Sequence, residues 1–334
     1  MILTETSWAG IGLAGNPSDG CYGKALAVPA ANYSAEVTLY ESPEINLVPT
    51  LQDHSTFSDL DEMSEDVETF GYYGGVRLLK AAARIFLEHC QENGIALPDR
   101  NFTARYSSSI PRRVGLAESS AVVTAMLKAL VRFYQVPVEQ EQLPRLAWIT
   151  EREELGIPCG LMDRVMQTYG EPVFMDLNHE DIQREGHGTY QLIPRDLIPP
   201  LVLALPDTPR PTGQDYHRTL GIHAQEGNGE LIESMDKFAN FAVLARDALL
   251  AGDLDTLGAV MDQNFDLRRS LFPVPETETA VVQALRKLGI PAKLAGGSGT
   301  VVGLCRHEKS LESMAASLQP HGYCAQFLAL PEPY

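Results

Sequence analysis

Residues Ile110–Leu130 read IPRRVGLAESSAVVTAMLKAL, and the rest of the chain is read outward from them. Val122, Ala125, Met126, Ala129, Leu130 and Phe133 recur at i, i+3, i+4, i+7, i+8 and i+11. One apolar stripe at that spacing predicts a helix. Gly115, small residues and the pair Ser119–Ser120 stand directly before it. A helix start leaves its first N–H groups without intrahelical partners and carries about half a positive charge, which suits a phosphate. The loop lacks the terminal Gly-Lys-Ser/Thr of a Walker A motif. On these residues alone two readings stay open: an anion cradle, or an ordinary helix start capped by Ser119 or Ser120.

At 334 residues the chain has room for one large or two medium domains. Hydrophobic residues make up 44% and charged residues 21%, the balance of a globular protein with an ample core. The formal net charge of -18 repels nucleic acid and anionic membranes, so neither is expected as a partner. An anionic substrate would need a local cluster of arginines or backbone donors. The first residues lack a basic segment ahead of an apolar core, and no apolar run approaches the ~20 residues of a membrane span. Five scattered cysteines without a CxxC pair indicate reduced thiols and a cytoplasmic protein, with neither a zinc site nor a disulfide framework.

Taken in order, Gly15-Asn16-Pro17-Ser18-Asp19-Gly20 is a turn offering Asn16, Ser18 and Asp19 as hydrogen-bonding groups. Ala35–Tyr40 alternates as a strand, and Asp53–Glu68 reads as a solvated loop or short exposed helix. Gly71-Tyr72-Tyr73-Gly74-Gly75 opens a helix with Val76, Leu79, Ala83, Phe86 and Cys90 on one side. Asn101–Ser109 predicts a strand feeding the phosphate-type loop. A helix from Pro144 ends at Gly156-Ile157-Pro158, and its Glu151, Arg152, Glu153 and Glu154 have the pattern of a solvated face. Asp163 and Arg164 open a further helical run, and Val173–Leu177 is a short strand. The proline-rich passage at Leu192–Pro211 predicts a domain boundary, with a strand at Leu201–Leu205 inside it. Helices follow at Ile232–Ala251, Asp255–Leu271 and Glu278–Leu288. Lys293-Leu294-Ala295-Gly296-Gly297-Ser298-Gly299-Thr300 interrupts them before a buried strand at Val301–Cys305, a helix at Lys309–Leu318 and a strand at Cys324–Leu330.

The Gly/Ser loop, the Glu-bearing helix followed by PCGLMD, and the second glycine-rich turn together resemble the GHMP kinase superfamily. The resemblance to plant-type glucuronokinases covers nearly the whole chain. It runs through GNPSDGCYGK at Gly15–Lys24, GYYGGVRLL at Gly71–Leu79, IPRRVGLAESSA at Ile110–Ala121 and ELGIPCGLMDRVMQTYG at Glu154–Gly170. GHGTY at Gly186–Tyr190 and NFDLRR at Asn264–Arg269 continue it. This resemblance implies an α+β, two-domain GHMP-kinase fold: an N-terminal mixed-sheet domain over residues 1–195 for nucleotide and substrate, and a C-terminal ferredoxin-like α/β-sandwich domain over residues 196–334. It implies an ATP- and Mg2+-dependent transfer to the anomeric hydroxyl of a small-molecule sugar, with glucuronate the expected acceptor, by a monomer or homodimer.

Residue by residue, the resemblance puts the nucleotide phosphates on Pro111, Gly115, Leu116, Ala117, Glu118, Ser119, Ser120 and Ala121. Ser120 and Glu151 become the metal ligands, and Asp163 the carboxylate beside the acceptor hydroxyl. Asn16, Asp19, Tyr72, Tyr73, Gly297, Arg268 and Arg269 become the sugar-binding set, the two arginines as candidates to grip a uronate carboxylate. Elementary chemistry agrees with these roles. Magnesium takes oxygen ligands, usually only one or two of them from protein. A hydroxyl attacking phosphorus must lose its proton, and a nearby carboxylate can accept it. A guanidinium can grip a carboxylate through two parallel hydrogen bonds, although consecutive arginines on a helix also form surface ion pairs.

The chain departs from the family pattern at identifiable positions. Glu118 stands where the phosphate loop has glycine, and a carboxylate about 5 Å from a phosphate costs roughly 3 kcal/mol per charge pair at an effective dielectric of 20. Glu118 therefore points away, helps hold the metal, or weakens nucleotide binding. Gly10 stands where the family has an arginine, with Lys24, Arg112, Arg113 and Arg164 as possible substitutes. Gln214 and Gly221 replace expected basic residues, and LAGGSGT replaces TGSGG. Two other functions stay open: a kinase for a neutral sugar or other small alcohol, and a kinase-fold protein that binds ligand with weak catalysis.

Overall fold

The computed structural model describes residues 1–50, 53, 57–70, 74–209, 229–305 and 310–332. Strand β1 (Ile2–Ala14) turns into β2 (Lys24–Ser42), which bends back through β3 (Asn46–Val48). Helices α1 (Leu60–Phe70) and α2 (Gly75–Glu92) precede β4 (Asn101–Ser108), and α3 (Glu118–Tyr134) follows the glycine-rich loop. Then come α4 (Leu143–Ile149), α5 (Met162–Tyr169), β5 (Val173–Asp176), α6 (His179–Glu185) and β6 (Thr189–Leu192). The second half holds β7 (Leu201–Pro206), α7 (Gly229–Ala251), α8 (Leu254–Leu271), α9 (Glu276–Lys287), β8 (Ala292–Leu294), β9 (Val301–Leu304), α10 (Leu311–Leu318) and β10 (Tyr323–Phe327).

Two sheets result. The first has the order β3-β4-β2-β5-β6, with β1 also on β2, and it is mixed because β3 runs parallel to β4. Strand β2 is far longer than the six alternating residues Ala35–Tyr40 that its sequence displays. Its C-terminal half pairs with β4 and alternates, because one face meets the core and the other is partly exposed. Its N-terminal half pairs with β5, and Ala25 to Ala30 are buried on both faces, so no alternation marks it. Between the halves the register against β1 shifts by a bulge at Trp8/Ala9.

The second sheet is antiparallel, in the order β10-β7-β9-β8. With α10 crossing from β9 to β10, this is the ferredoxin-like β-α-β-β-α-β arrangement. Every residue of β7 is buried, and the period of two divides them. Val202 and Ala204 face α9 and α10 with Val281, Leu285 and Met314, whereas Leu201, Leu203 and Leu205 face the other way. That other face joins a cluster continuous with Ile11, Leu13, Leu26 and Val28 of the first sheet. The sheets thus share one core although they use separate stretches of chain, and between those stretches, at 195/196, we propose the domain boundary.

The cross-connections set the site. Near the end of β1, Gly10 N–H donates to Leu116 O at 3.2 Å, and Gly12 N–H donates to Ala295 O at 2.8 Å. One strand therefore holds both glycine-rich loops side by side.

Candidate active site

The loop before α3 is built to present backbone donors. Arg113, Gly115 and Ala117 adopt left-handed φ values of 57°, 79° and 59° at alternate positions. Such alternation turns successive N–H groups to one side, forming a concavity for an anion. A left-handed conformation costs a residue with a Cβ about 1 kcal/mol, so Arg113 and Ala117 carry strain that the surroundings must hold. Ala117 itself is the N-cap of α3, and no side chain caps the helix. The alternative of an ordinary serine cap is therefore excluded. Ser120 is buried and its hydroxyl donates to Ala117 O at 3.0 Å, while Ser119 Oγ donates to Glu151 Oε1 at 2.6 Å. Successive helical residues point about 100° apart, and only Ser119 faces the glutamate. Glu151 is thus bonded to Ser119, and Ser120, the serine expected beside it as a metal ligand, is bonded to the turn at Ala117.

Glu151 stands on a one-turn π-helix, Thr150–Glu154, that follows α4. The wider turn rotates it inward, so it is fully buried among residues whose charge pattern read as a solvated face. Its Oε2 accepts from Arg164 Nε at 2.8 Å and also from Arg164 Nη2. Arg164 lies in the first turn of α5 beside Asp163, with Nη1 3.8 Å from Asp163 Oδ2. Burial raises the Asp163 carboxyl to about 6, and the Arg164 guanidinium opposes the rise. Asp163 still keeps about a quarter of its side chain exposed, enough to reach an acceptor.

Asp19 closes the same centre. Its Oδ2 accepts from Met162 N–H at 3.3 Å, Gly160 leaves no space for a Cβ against it, and burial raises its pKa. The preceding turn passes through a cis Asn16–Pro17 bond and is held from α8. Asn264 accepts from Gly15 N–H at 2.8 Å and donates to Asn16 O at 3.0 Å. Lys293, buried on β8, donates to Asn16 Oδ1 at 2.7 Å, Gly12 O at 2.8 Å and Leu294 O at 2.7 Å, and burial pulls its pKa well down. Neither Asn264 nor Lys293 was a sequence candidate. Asn264 lies in the NFDLRR stretch, one helical turn before Arg268, which was the available signal.

The second glycine-rich loop contacts the first. Thr300 donates to Val114 O through both N–H, at 2.8 Å, and Oγ1, at 2.7 Å. A Cβ on Gly115 would run into Ser298 O, so this position requires glycine for space as well as for φ. Arg268 is buried and donates to Gly296 O at 2.6 Å and to Gly297 O. Arg269, 100° around α8, is exposed. Of the two arginines expected to grip a uronate, Arg268 is bonded to the loop and Arg269 is at the surface. Gly297 is thereby an acceptor for Arg268. Tyr72, Tyr73, Gln214 and Gly221 lie outside the described residues.

Glu118 is buried. Its carboxylate is hydrogen-bonded with Ser108 at the end of β4 and feels the charge of Arg112. Burial pushes its pKa up to about 7, so near neutrality part of the population is uncharged and the repulsion of a phosphate shrinks. The GHGTY stretch lies beside the centre, where His187 and Tyr190 join Tyr22, Trp148 and Leu161 around a cavity of about 250 Å³. Among the described residues no helix is long and apolar enough to cross a membrane, and no cluster of three or more His, Cys, Asp or Glu side chains could hold a metal.

Comparison with known proteins matches this architecture. The profile for the GHMP kinases N terminal domain covers residues 77–171, and that for the GHMP kinases C terminal covers residues 245–324. The chain is 39% identical over 311 residues to probable glucuronokinase 2 of Arabidopsis thaliana, covering 91% of this chain and 84% of the relative. It is 36% identical to glucuronokinase 1 of the same plant, covering 91% and 85%. In fold it is similar to Lactococcus lactis galactokinase complexed with galactose (TM-score 0.74, 18% identity, 98% of this chain and 92% of that one). The Streptococcus pneumoniae phosphomevalonate kinase in complex with phosphomevalonate and AMPPNP is similar to the same degree (TM-score 0.74, 13% identity, 98% and 100%). With its loops, its acidic centre and its ferredoxin-like half in these places, the chain belongs to the GHMP kinase superfamily, in the glucuronokinase family.

Proposed function

We infer that this protein is an ATP-dependent sugar-1-kinase that transfers the terminal phosphoryl group to the anomeric hydroxyl of glucuronate. The observation that carries the reading is the convergence of an uncapped, strained helix start with Ser119, Glu151, Arg164 and Asp163. Backbone N–H groups of the 111–121 loop receive the phosphates. Asp163 accepts the proton of the attacking hydroxyl, and the part-exposed carboxylate with its raised pKa suits a base working near neutrality. Asp19 and Asn16 line the acceptor side. Phosphoryl transfer depends mainly on positioning and charge stabilisation, so few groups suffice.

Ser119 Oγ and Glu151 Oε1, two hard oxygens 2.6 Å apart beside the helix start, fit a magnesium ion that takes one or two protein ligands. When bound, the ion would neutralise the phosphate charge. The cytoplasm is the setting that goes with this reading, on the scattered cysteines of the sequence without a CxxC pair.

One observation favours a second reading. Arg268 is committed to Gly296 and Gly297, which removes a cation expected for the uronate and favours a neutral sugar as acceptor. Purified protein with ATP, Mg2+ and a panel of glucuronate, galacturonate, galactose, glucose and arabinose separates the two. Glucuronate 1-phosphate as main product upholds the first reading, and product from neutral sugars alone replaces it with the second. Nucleotide binding without transfer to any acceptor overturns both.

A further inference from the structure

Arg164 connects the two carboxylates to which the proposed function gives different tasks. The residue is 5% exposed. Nε and Nη2 both donate to Glu151 Oε2, whereas Nη1 donates to Gly160 O at 3.2 Å and stands 3.8 Å from Asp163 Oδ2. Glu151 Oε1 is taken by Ser119. Both oxygens of the carboxylate assigned to a divalent cation are thus already bonded, one of them by a cation of the protein itself. Strand β1 supplies no such charge to Asp163. Gly10 backs onto it there, and a Cβ at Gly10 would stand 2.6 Å from Asp163 Oδ1.

A guanidinium is a rigid planar fork with donors on several edges. Holding Glu151 uses the Nε–Nη2 edge and leaves Nη1 toward Asp163. We propose that Arg164 is a shared counter-ion, holding Glu151 in the free enzyme and moving onto Asp163 when Glu151 turns to a divalent cation bound with nucleotide. This rests on the kinase reading above and adds to it a coupling between the metal ligand and the base. In the free enzyme a buried glutamate left bare would be costly, and Arg164 neutralises it. Once Glu151 has a second cation, the neighbouring acceptor for the displaced fork is the Asp163 carboxylate, and its grip orients that carboxylate for the hydroxyl. Arg164 is accordingly a positioning residue, and the base is set only when nucleotide and cation are in place.

The test measures Mn2+ affinity in the presence of ADP by electron paramagnetic resonance, with steady-state kinetics alongside, for the wild type, Arg164→Gln and Arg164→Lys. Removing the internal competitor in Arg164→Gln is expected to tighten Mn2+ at least fivefold. The same change lowers kcat at least 100-fold and moves the KM for ATP less than threefold. Arg164→Lys, which keeps the charge but loses the fork, is expected to tighten Mn2+ at least twofold and to recover part of kcat. A structural role alone would weaken Mn2+ binding in step with thermal stability. Should Arg164→Gln fail to fold, the lysine variant decides: Mn2+ affinity equal to or weaker than wild type overturns the proposal. A wild type that phosphorylates no sugar defeats the kinase reading itself, whereas an active wild type with unmoved Mn2+ affinity in the variants defeats only the role of Arg164.

Discussion

The two glycine-rich loops have similar compositions and opposite construction. The loop at 111–118 bends through left-handed residues and ends at a helix start without a side-chain cap, a conformation that suits a cradle of backbone donors. In the loop at 295–300, Arg268 binds the carbonyls of Gly296 and Gly297, and Glu278 accepts from Gly299 N–H at 2.7 Å. Tyr323 donates to Gly299 O at 3.1 Å, and Thr300 ties the loop to Val114. The first has the features of a cradle and the second those of a buttress. Glycine content does not separate a ligand loop from its support; the fate of the backbone polar groups does, because each must find a partner in protein, water or ligand.

The sharpest break of this contrast lies where the cradle faces its chemistry. Asp163→Asn keeps shape and removes the proton acceptor. We expect kcat to fall about 10³-fold or more, with nucleotide affinity by calorimetry within twofold of wild type. Normal turnover in this variant would move the base elsewhere.

The buttress breaks next. Arg268→Met deletes two charged hydrogen bonds to part-buried carbonyls, each worth about 1.5–3 kcal/mol, so urea denaturation should show a loss of roughly 3 kcal/mol. The KM for ATP should rise as the loop loosens against Val114. A rise in the KM for glucuronate alone, at unchanged stability, would make Arg268 a substrate ligand and not a support.

The smallest effect sharpens the cradle. Glu118 has its pKa raised by burial from the ordinary 4.5 to about 7. The folded state therefore holds the proton more tightly than the unfolded chain. Stability is full below about pH 4.5, falls as pH rises toward 7, and levels off above, a loss of about 3 kcal/mol. Glu118→Gln should abolish that slope, so denaturation midpoints of variant and wild type should diverge between pH 5 and 8 in favour of the variant. Parallel profiles would mean that Glu118 ionises in solvent.

Local pattern was sufficient for much of the fold. The stripe from Val122 to Phe133 specified α3, although Val123, Thr124 and Leu127 off that stripe are buried as well, and the periodic segments of the second half specified α7, α8 and α9 to within a few residues. Asp53–Glu68, poorly patterned, partly became α1, and β8 lay unseen inside a stretch read as a turn. The motifs placed Glu151, Asp163 and the Gly/Ser loop in one centre, and the structure brings these groups together, with Ser119 on Glu151 and Arg164 between Glu151 and Asp163.

What the amino-acid order determined by itself was the set of elements whose burial repeats along the chain, together with the family that its motifs mark. What only the tertiary structure decided was which of two adjacent serines meets Glu151, that Arg268 serves a loop, that Glu118 turns to Ser108, and that half of β2 is a strand at all. These depend on the direction of a side chain around a helix, on a π-turn that rotates a glutamate inward, and on burial of both faces of a strand. Each comes from partners distant in the chain, and a pattern read along the chain records only the environment that repeats with it.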